Sequence, residues 1–133
     1  MLNLGVRAHD FGKLPVDELA AQIASHGLSA VQLARTKAIA GFDADAGRLS
    51  PGFARQVSEA FRRHHLQIAV LGCYINLGER DAAQRQPQLK RFKEYIRFAR
   101  DVGCSVVGTE TGSLHSDCSA HPEAILIATG SEV

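Results

Sequence analysis

Polar side chains that could do chemistry follow three of the short apolar runs in this sequence. A histidine can transfer protons near neutral pH, a carboxylate can bind a hard cation or orient a hydroxyl, and a phenol or an amide can form neutral hydrogen bonds to hydroxyl groups. These side chains are His9 and Asp10 after residues 4–6, Tyr74 and Asn76 after residues 68–71, and Glu110 after residues 105–107.

Each of these residues also has a structural interpretation. Glu110 could cap the turn after its run, and His9 could be satisfied by a neighbouring loop. Tyr74 could be a core ring whose hydroxyl lies at the rim. Asp10 is predicted to be a turn residue. Gln32 alternates with apolar neighbours, and we predict a structural role for it, since a buried amide needs hydrogen-bond partners.

Apolar runs and amphipathic segments alternate along the chain. This alternation predicts a parallel sheet with right-handed crossovers, and the repeat of about thirty residues matches a βα unit. A closed (β/α)8 barrel needs about 250 residues. We therefore predict an α/β fold that is a partial (β/α)8 TIM barrel of about four βα units. The predicted strands are residues 4–6, 30–33, 68–71 and 105–107, and the predicted helices are residues 15–26, 50–65 and 86–102.

Local signals set the expected ends of the helices. Pro15 is predicted at the first helical position of its helix, and Ser50 is predicted as an N-cap with Pro51 after it. Pro87 predicts a firm helix start near residues 86–88, with an additional turn over residues 81–85.

Two other segments lead to specific expectations. The third helix is predicted to bury one apolar face, formed by Leu89, Phe92, Ile96 and Ala99. Residues 34–49 are predicted to be a long loop with a short helical turn at residues 36–40.

The last part of the chain breaks the alternation. Residues 1–114 are predicted to form one unit and residues 115–133 a divergent tail. Within the tail, residues 124–128 are a predicted strand with no assigned partner. The tail also carries several side chains of ligand type, but their spacing matches no structural zinc pattern. These are His115, Asp117, Cys118 and His121.

Composition narrows the classes of function. The net charge of +1 argues against nucleic acid as a partner. The three cysteines show no C-x-x-C spacing, so a disulfide framework is not expected and a cytoplasmic location is predicted. The amino terminus lacks the layout of a signal peptide, and no apolar run approaches the ~20 residues that span a bilayer. We therefore expect no membrane partner.

Three segments resemble the sugar phosphate isomerase/epimerase family, also called the xylose isomerase-like TIM barrel family. They are residues 4–10, 68–77 and 106–113, and their more specific parts are GCYIN and VGTETG. The resemblance covers about residues 1–114. It implies an eight-stranded barrel, proton transfer next to a sugar carbonyl, and a divalent metal (Mn²⁺, Mg²⁺, Co²⁺ or Zn²⁺) at the carboxyl ends of the strands.

The resemblance also implies roles for individual residues. His9 and Glu110 would be catalytic, Tyr74 and Asn76 would bind a sugar or sugar phosphate, and Glu110 would be a metal ligand. The family's main metal ligands lie in the second half of the barrel, which this sequence does not include. Residues 125–133 instead resemble a segment that opens the C-terminal domain of transketolase.

Three hypotheses follow from this combination. The first is a sugar isomerase or epimerase that carries the amino-terminal half of the barrel. The second, given equal weight, is a truncated, non-catalytic fragment that self-associates through exposed sheet edges. The third is a nucleic-acid-binding relative, by analogy with abasic-site endonucleases of the same fold, and the near-neutral charge disfavours it.

Overall fold

Strands and helices alternate as the sequence predicts. The computed structural model describes residues 3–41, residues 49–110 and the backbone of residues 125–129. The predicted tail residues His115, Asp117, Cys118 and His121, and the domain boundary at residue 114, lie outside these ranges. The strands are β1 (Gly5–Arg7), β2 (Ala30–Leu33), β3 (Gln67–Gly72), β4 (Val106–Glu110) and β5 (Ile125–Thr129), and the helices are α1 (Val16–Ser25), α2 (Arg35–Ala38), α3 (Pro51–Arg63) and α4 (Ala82–Val102).

The sheet follows chain order from β1 to β5. The first four strands are parallel to one another, and β5 is antiparallel to β4. The connecting helices pack side by side, α1 against α3 and α3 against α4. Crossovers between neighbouring parallel strands that all have the usual right-handed sense put their helices on one face of the sheet in this way. This arrangement confirms the predicted fold class, an α/β fold that is part of a (β/α)8 barrel.

The core lies between the sheet and its helices. Val31 and Leu33 of β2 are at most 1% exposed, and Leu71 of β3 is fully buried. Ala30 and Gln32, which alternate with the buried residues of β2, are only half-buried. Successive strand residues point to opposite faces. The second face of β2, which carries Gln32, is therefore not covered by the helices of the described chain.

The predicted N-cap of α3 is confirmed. The Ser50 hydroxyl accepts a hydrogen bond from the Phe53 amide at 3.1 Å, and Pro51 occupies the first helical turn. In α1 the prediction was one residue early, because Pro15 is the N-cap and the helix begins at Val16. The fixed φ of proline suits either position.

The firm start predicted for the third helix was wrong, and the additional upstream turn is present. The helix α4 begins at Ala82, so Pro87 lies inside it. Asp81 caps this helix by accepting a hydrogen bond from the Ala83 amide at 2.8 Å. The Arg85 guanidinium also donates to the Glu79 carbonyl at 3.0 Å. These contacts stabilise a first turn that Pro87 alone would disfavour.

The apolar face predicted for α4 was partly wrong. Ile96, predicted to be buried, is 43% exposed, whereas Ala99 is buried as predicted. The residues that α4 buries also include Tyr95, Phe98 and Val102. The Phe98 ring stacks on Phe53 of α3 with centroids 5.6 Å apart. Packing against α3 thus buries the side of α4 that carries Tyr95 and Phe98, and leaves Ile96 partly exposed.

The strand β4 is longer than predicted and includes Glu110. The sequence pattern placed its end at residue 107, but β5 pairs with β4 along its length, from Val106 opposite Thr129 to Glu110 opposite Ile125. These cross-strand hydrogen bonds extend the strand beyond its β-branched residues. The fifth strand that was predicted at residues 124–128 is therefore present, shifted by one residue.

The loop after β2 is anchored to the segment before α1. The Leu14 amide donates to the Ala38 carbonyl at 3.0 Å, and the Ala40 amide donates to the Leu14 carbonyl at 2.8 Å. The helical turn predicted at residues 36–40 is present as α2, and residues 42–48 lie outside the described ranges. Among the described residues, no helix combines the length and apolarity needed to cross a bilayer.

Candidate functional site

The carboxyl ends of the parallel strands meet at one edge of the sheet. Arg7 at the end of β1 pairs in register with Gln32 of β2. Gly72 at the end of β3 pairs with Gly108, two residues before Glu110. This edge of a parallel barrel is where catalytic side chains are found in this architecture. It therefore carries most of the residues that the sequence singled out.

Tyr74 lies at the centre of this edge and folds back over the end of its own strand. A Cβ on Gly72 would lie 3.3 Å from both the Cζ and the hydroxyl oxygen of Tyr74. The absence of a side chain at Gly72 thus provides the space for the ring. Gln32 Nε2 donates a hydrogen bond to the Tyr74 hydroxyl at 2.9 Å. Lys37 Nζ lies 4.3 Å from the centroid of the same ring, a cation–π contact.

Opposing effects act on the pKa of the Tyr74 hydroxyl. Burial raises its pKa above 10.0, and the nearby charge of Glu110 raises it further. The hydrogen bond from Gln32 and the charge of Arg7 act in the opposite direction. The net pKa is raised, so Tyr74 keeps its proton near neutral pH. It can therefore act as a hydrogen-bond donor.

His9 lies in a 3-10 turn, Ala8–Phe11, directly after β1. Its Nδ1 atom is buried and has no hydrogen-bond partner in the part of the chain that the structure describes. Burial lowers the pKa of His9 below 6.5, and the Asp10 carboxylate opposes that effect. Lys37 and Arg7 lower the pKa further. A neutral imidazole at pH 7 can accept a proton.

The lowered pKa of His9 has a testable consequence for stability. Between the folded-state pKa and 6.5 the unfolded chain binds more protons than the folded chain. We therefore expect the free energy of unfolding to fall as the pH decreases from about 6.5 towards the folded-state pKa of His9. Urea unfolding between pH 5 and pH 8 would measure this change.

A variant pair isolates the contribution of His9. We expect His9→Asn to weaken the pH dependence in this interval. We expect His65→Asn, at an exposed position after α3, to keep it. An NMR titration that gives His9 a pKa at or above 6.5 would contradict the interpretation.

Asp10 acts within the turn, as the sequence predicts. Arg7 donates from Nε to Asp10 Oδ2 at 3.2 Å, and Arg7 Nη2 lies 3.2 Å from Asp10 Oδ1. Both side chains are exposed, so the pair contributes little to stability. It does hold the Arg7 side chain at the carboxyl end of β1.

Asn76 has a structural role in the loop that leads to α4. Its Oδ1 accepts a hydrogen bond from the Gly78 amide at 3.0 Å, which is an Asx-type turn. Its backbone amide donates to Gln88 Oε1 on α4. One of the two lone pairs of the Asn76 Oδ1 atom is thus used within the loop. The sugar-binding role predicted for Asn76 stays a prediction.

Glu110 is the exposed last residue of β4. Its charge reaches Tyr74, as the pKa of Tyr74 indicates. Within residues 3–41 and 49–110, no three His, Cys, Asp or Glu side chains are close enough together to hold a metal ion. The described residues thus do not form the metal centre that the resemblance implies. The assignment of Glu110 as a metal ligand stays a prediction.

The structure adds three residues that sequence reasoning did not place in the site. Arg7, Gln32 and Lys37 surround Tyr74 and His9 through the contacts and charges described above. Gln32 was predicted to be structural, and its bond to Tyr74 supplies the partner it was expected to need. The signal for Lys37 was its position in the long loop just after a predicted strand, where functional residues concentrate.

Two cysteines belong to the core: Cys73 follows β3 at this edge, and Cys104 precedes β4 at the opposite end of the strands. Cys73 and Cys104 are buried free thiols. Burial raises the pKa of Cys73 to about 12, with Arg91 and Arg35 opposing, and burial also raises the pKa of Cys104. Both thiols therefore stay protonated and unreactive at neutral pH.

Comparison with known proteins agrees with the fold. The family model described as xylose isomerase-like TIM barrel matches residues 20–126, which is more than half of the chain. The chain therefore belongs to the xylose isomerase-like TIM barrel family, and the predicted family is confirmed. No curated protein gives a match to the sequence. The likeness of residues 125–133 to transketolase stays a prediction.

Proposed function

We propose that this chain binds a sugar or sugar phosphate at the carboxyl edge of its sheet and assists proton transfer next to the sugar carbonyl. The observation that carries the proposal is the polar cluster around Tyr74, with Gln32 and Lys37 in contact with it. Hydroxyl and ammonium groups of this kind suit a ligand rich in oxygen. Membership of the family supports the class of reaction.

His9 and Glu110 are the proposed acid–base residues. His9 follows β1 and Glu110 is the last residue of β4. In the sheet these two strands are separated by three strand spacings of about 4.8 Å each. The two residues therefore approach a ligand from opposite sides, and Tyr74, which follows β3, lies between them. His9 is suited to accept a proton because burial keeps it neutral. Glu110 is an exposed carboxylate that can orient a hydroxyl or exchange a proton.

The proposed step moves one proton. A base removes the proton from the carbon next to the carbonyl, and the electron pair of that C–H bond shifts towards the carbonyl oxygen. Return of a proton to the same carbon from the other face restores the carbonyl and gives an epimer. Return of the proton to the former carbonyl carbon gives an isomer, and in that case the hydroxyl proton of the neighbouring oxygen also passes to the former carbonyl oxygen, so that the new carbonyl forms on the neighbouring carbon. A divalent metal, if bound, would polarise the carbonyl oxygen.

Isotope exchange tests the proposal directly. The chain is incubated in D₂O with a panel of aldoses, ketoses and their phosphates, with and without Mn²⁺, Mg²⁺, Co²⁺ or Zn²⁺. ¹H NMR then follows loss of the proton next to the carbonyl. We expect exchange for at least one member of the panel.

The alternative hypotheses are outcomes of the same study. Absence of exchange with every sugar and every metal would contradict the proposal and favour a non-catalytic fragment. Solution scattering would then show whether the chain self-associates, since β1 lies at an edge of the sheet. Binding to duplex DNA that weakens steeply with salt would instead favour the nucleic-acid alternative.

A further inference from the structure

We propose that Tyr74 and Lys37 together form a binding site for an anionic oxygen, contributed by a carboxylate, a phosphate or the oxyanion that develops on a sugar carbonyl. The inference rests on the proposed function only for the last of these three. The first two can be tested in the absence of any reaction.

The position of Tyr74 is set by contacts on several sides. Its ring lies against Gly72, where any larger residue would press on the Cζ and hydroxyl atoms at 3.3 Å. Gln32 binds the hydroxyl at 2.9 Å, and the Lys37 ammonium lies over the ring at 4.3 Å. The phenol is therefore held in one place before a ligand arrives, which limits the entropy lost on binding.

The Tyr74 hydroxyl has a proton to donate. A phenol has one O–H donor, and its contact with Gln32 uses the phenol oxygen as the acceptor, since Nε2 is the donor in that bond. Over residues 3–41 and 49–110 no group accepts the Tyr74 proton in return. A ligand oxygen would complete the hydrogen bonding of this partly buried hydroxyl.

Positive charge favours an anion as that ligand. The Lys37 ammonium lies against the Tyr74 ring, and the charges of both Arg7 and Glu110 reach the phenol, with the Glu110 carboxylate the stronger of the two. The Lys37 ammonium, in direct contact with the ring, is therefore the charge that favours an anion here. The Lys37 ammonium has three N–H donors, and its contact with the ring face is weak. The N–H groups of Lys37 that do not point at the ring can therefore bind a ligand oxygen beside the Tyr74 hydroxyl. Hydrogen bonds to an ionised oxygen are about twice as strong as those between neutral groups.

The site has a defined use in the proposed reaction. When the base takes the proton from carbon, negative charge grows on the former carbonyl oxygen. Donors already in place stabilise that charge without reorganisation. Tyr74 and Lys37 would be two such donors, supplied by the chain itself.

Ligand binding tests the inference without requiring turnover. The probes are glycolate, which presents a carboxylate, and inorganic phosphate, and neutral ethylene glycol is the control ligand. All titrations are run at constant ionic strength, because salt screens exposed charges. NMR chemical shifts of Tyr74 and Lys37 report binding.

We expect saturable shifts with glycolate or phosphate and none with ethylene glycol. Tyr74→Phe keeps the ring and removes the donor, and Lys37→Met keeps the length and removes the charge. Each is expected to weaken binding about tenfold, the factor for losing one hydrogen bond to a charged group. A preference for glycolate would identify a carboxylate-type ligand, and a preference for phosphate would identify a phosphate ester.

A matched variant controls for general effects. Lys93→Met removes an exposed lysine of α4, away from the sheet edge. It is expected to bind the probes like the unmodified chain. Absence of any saturable shift, or equal binding by the Tyr74 and Lys37 variants and this control, would overturn the inference. Anion binding without isotope exchange would instead refute the proposed function and leave the anion site standing.

Discussion

Replacing Glu110 with glutamine is expected to lower the rate of isotope exchange by about 10²- to 10⁴-fold, the usual contribution of a general acid–base group. Glutamine keeps the shape and hydrogen-bonding reach of glutamate but cannot take up or release a proton. The variant is expected to fold normally because Glu110 is an exposed strand end. The assay is the D₂O exchange experiment, run with the sugar that the unmodified chain turns over best.

Glu59→Gln is the control for this change. Glu59 is an exposed residue on the outer surface of α3, and its replacement removes the same charge away from the sheet edge. We expect it to leave the exchange rate within about twofold. A Glu110→Gln variant that exchanges as fast as this control would remove Glu110 from the proposed mechanism. The NMR shift of Tyr74 would still report whether the variant has kept the site intact.

Replacing Phe98 with alanine is expected to lower the free energy of unfolding by about 3–5 kcal/mol, since the change removes a ring from a packed core and leaves a cavity. Phe98 is 2% exposed and stacks on Phe53, so it joins α4 to α3. Urea denaturation followed by circular dichroism measures the loss. If the alanine variant does not fold, Phe98→Leu is expected to give a smaller, measurable loss of about 1–2 kcal/mol.

Ile96→Ala provides the matched comparison on the same helix. The sequence pattern placed Ile96 on the buried face, but it is 43% exposed. We expect its replacement to change the free energy of unfolding by no more than about 0.5 kcal/mol. A larger loss for Ile96→Ala than for Phe98→Ala would mean that α4 is rotated relative to the sheet in solution.

Both positions on α4 illustrate how far sequence patterns reach. Two overlapping apolar stripes run along this helix, one through Phe92 and Ile96 and one through Phe98 and Val102. Helical spacing fits either stripe. The choice between them depends on α3, where Phe53 provides a ring for Phe98 to stack against.

The candidate site shows the same division. The sequence alone predicted His9, Tyr74 and Glu110 at one edge, because each follows an apolar run and parallel strands end together. It placed Glu110 after its strand, whereas pairing with β5 makes this residue the end of the strand. The metal role that the family resemblance implied for Glu110 has no cluster of three ligands around it among the described residues.

The sequence by itself thus determined the order of strands and helices, the α/β fold and the family, since these depend on short-range spacing and local signals. The tertiary structure alone decided which partners surround Tyr74. Gln32 and Lys37 are separated from it in sequence by 42 and 37 residues, respectively, and come together through the register of β2 with β3 and the path of the following loop. Contacts of that kind leave no periodic signal along the chain. They depend on how the strands align, and on the space that a glycine, which has no side chain, leaves for the Tyr74 ring at position 72.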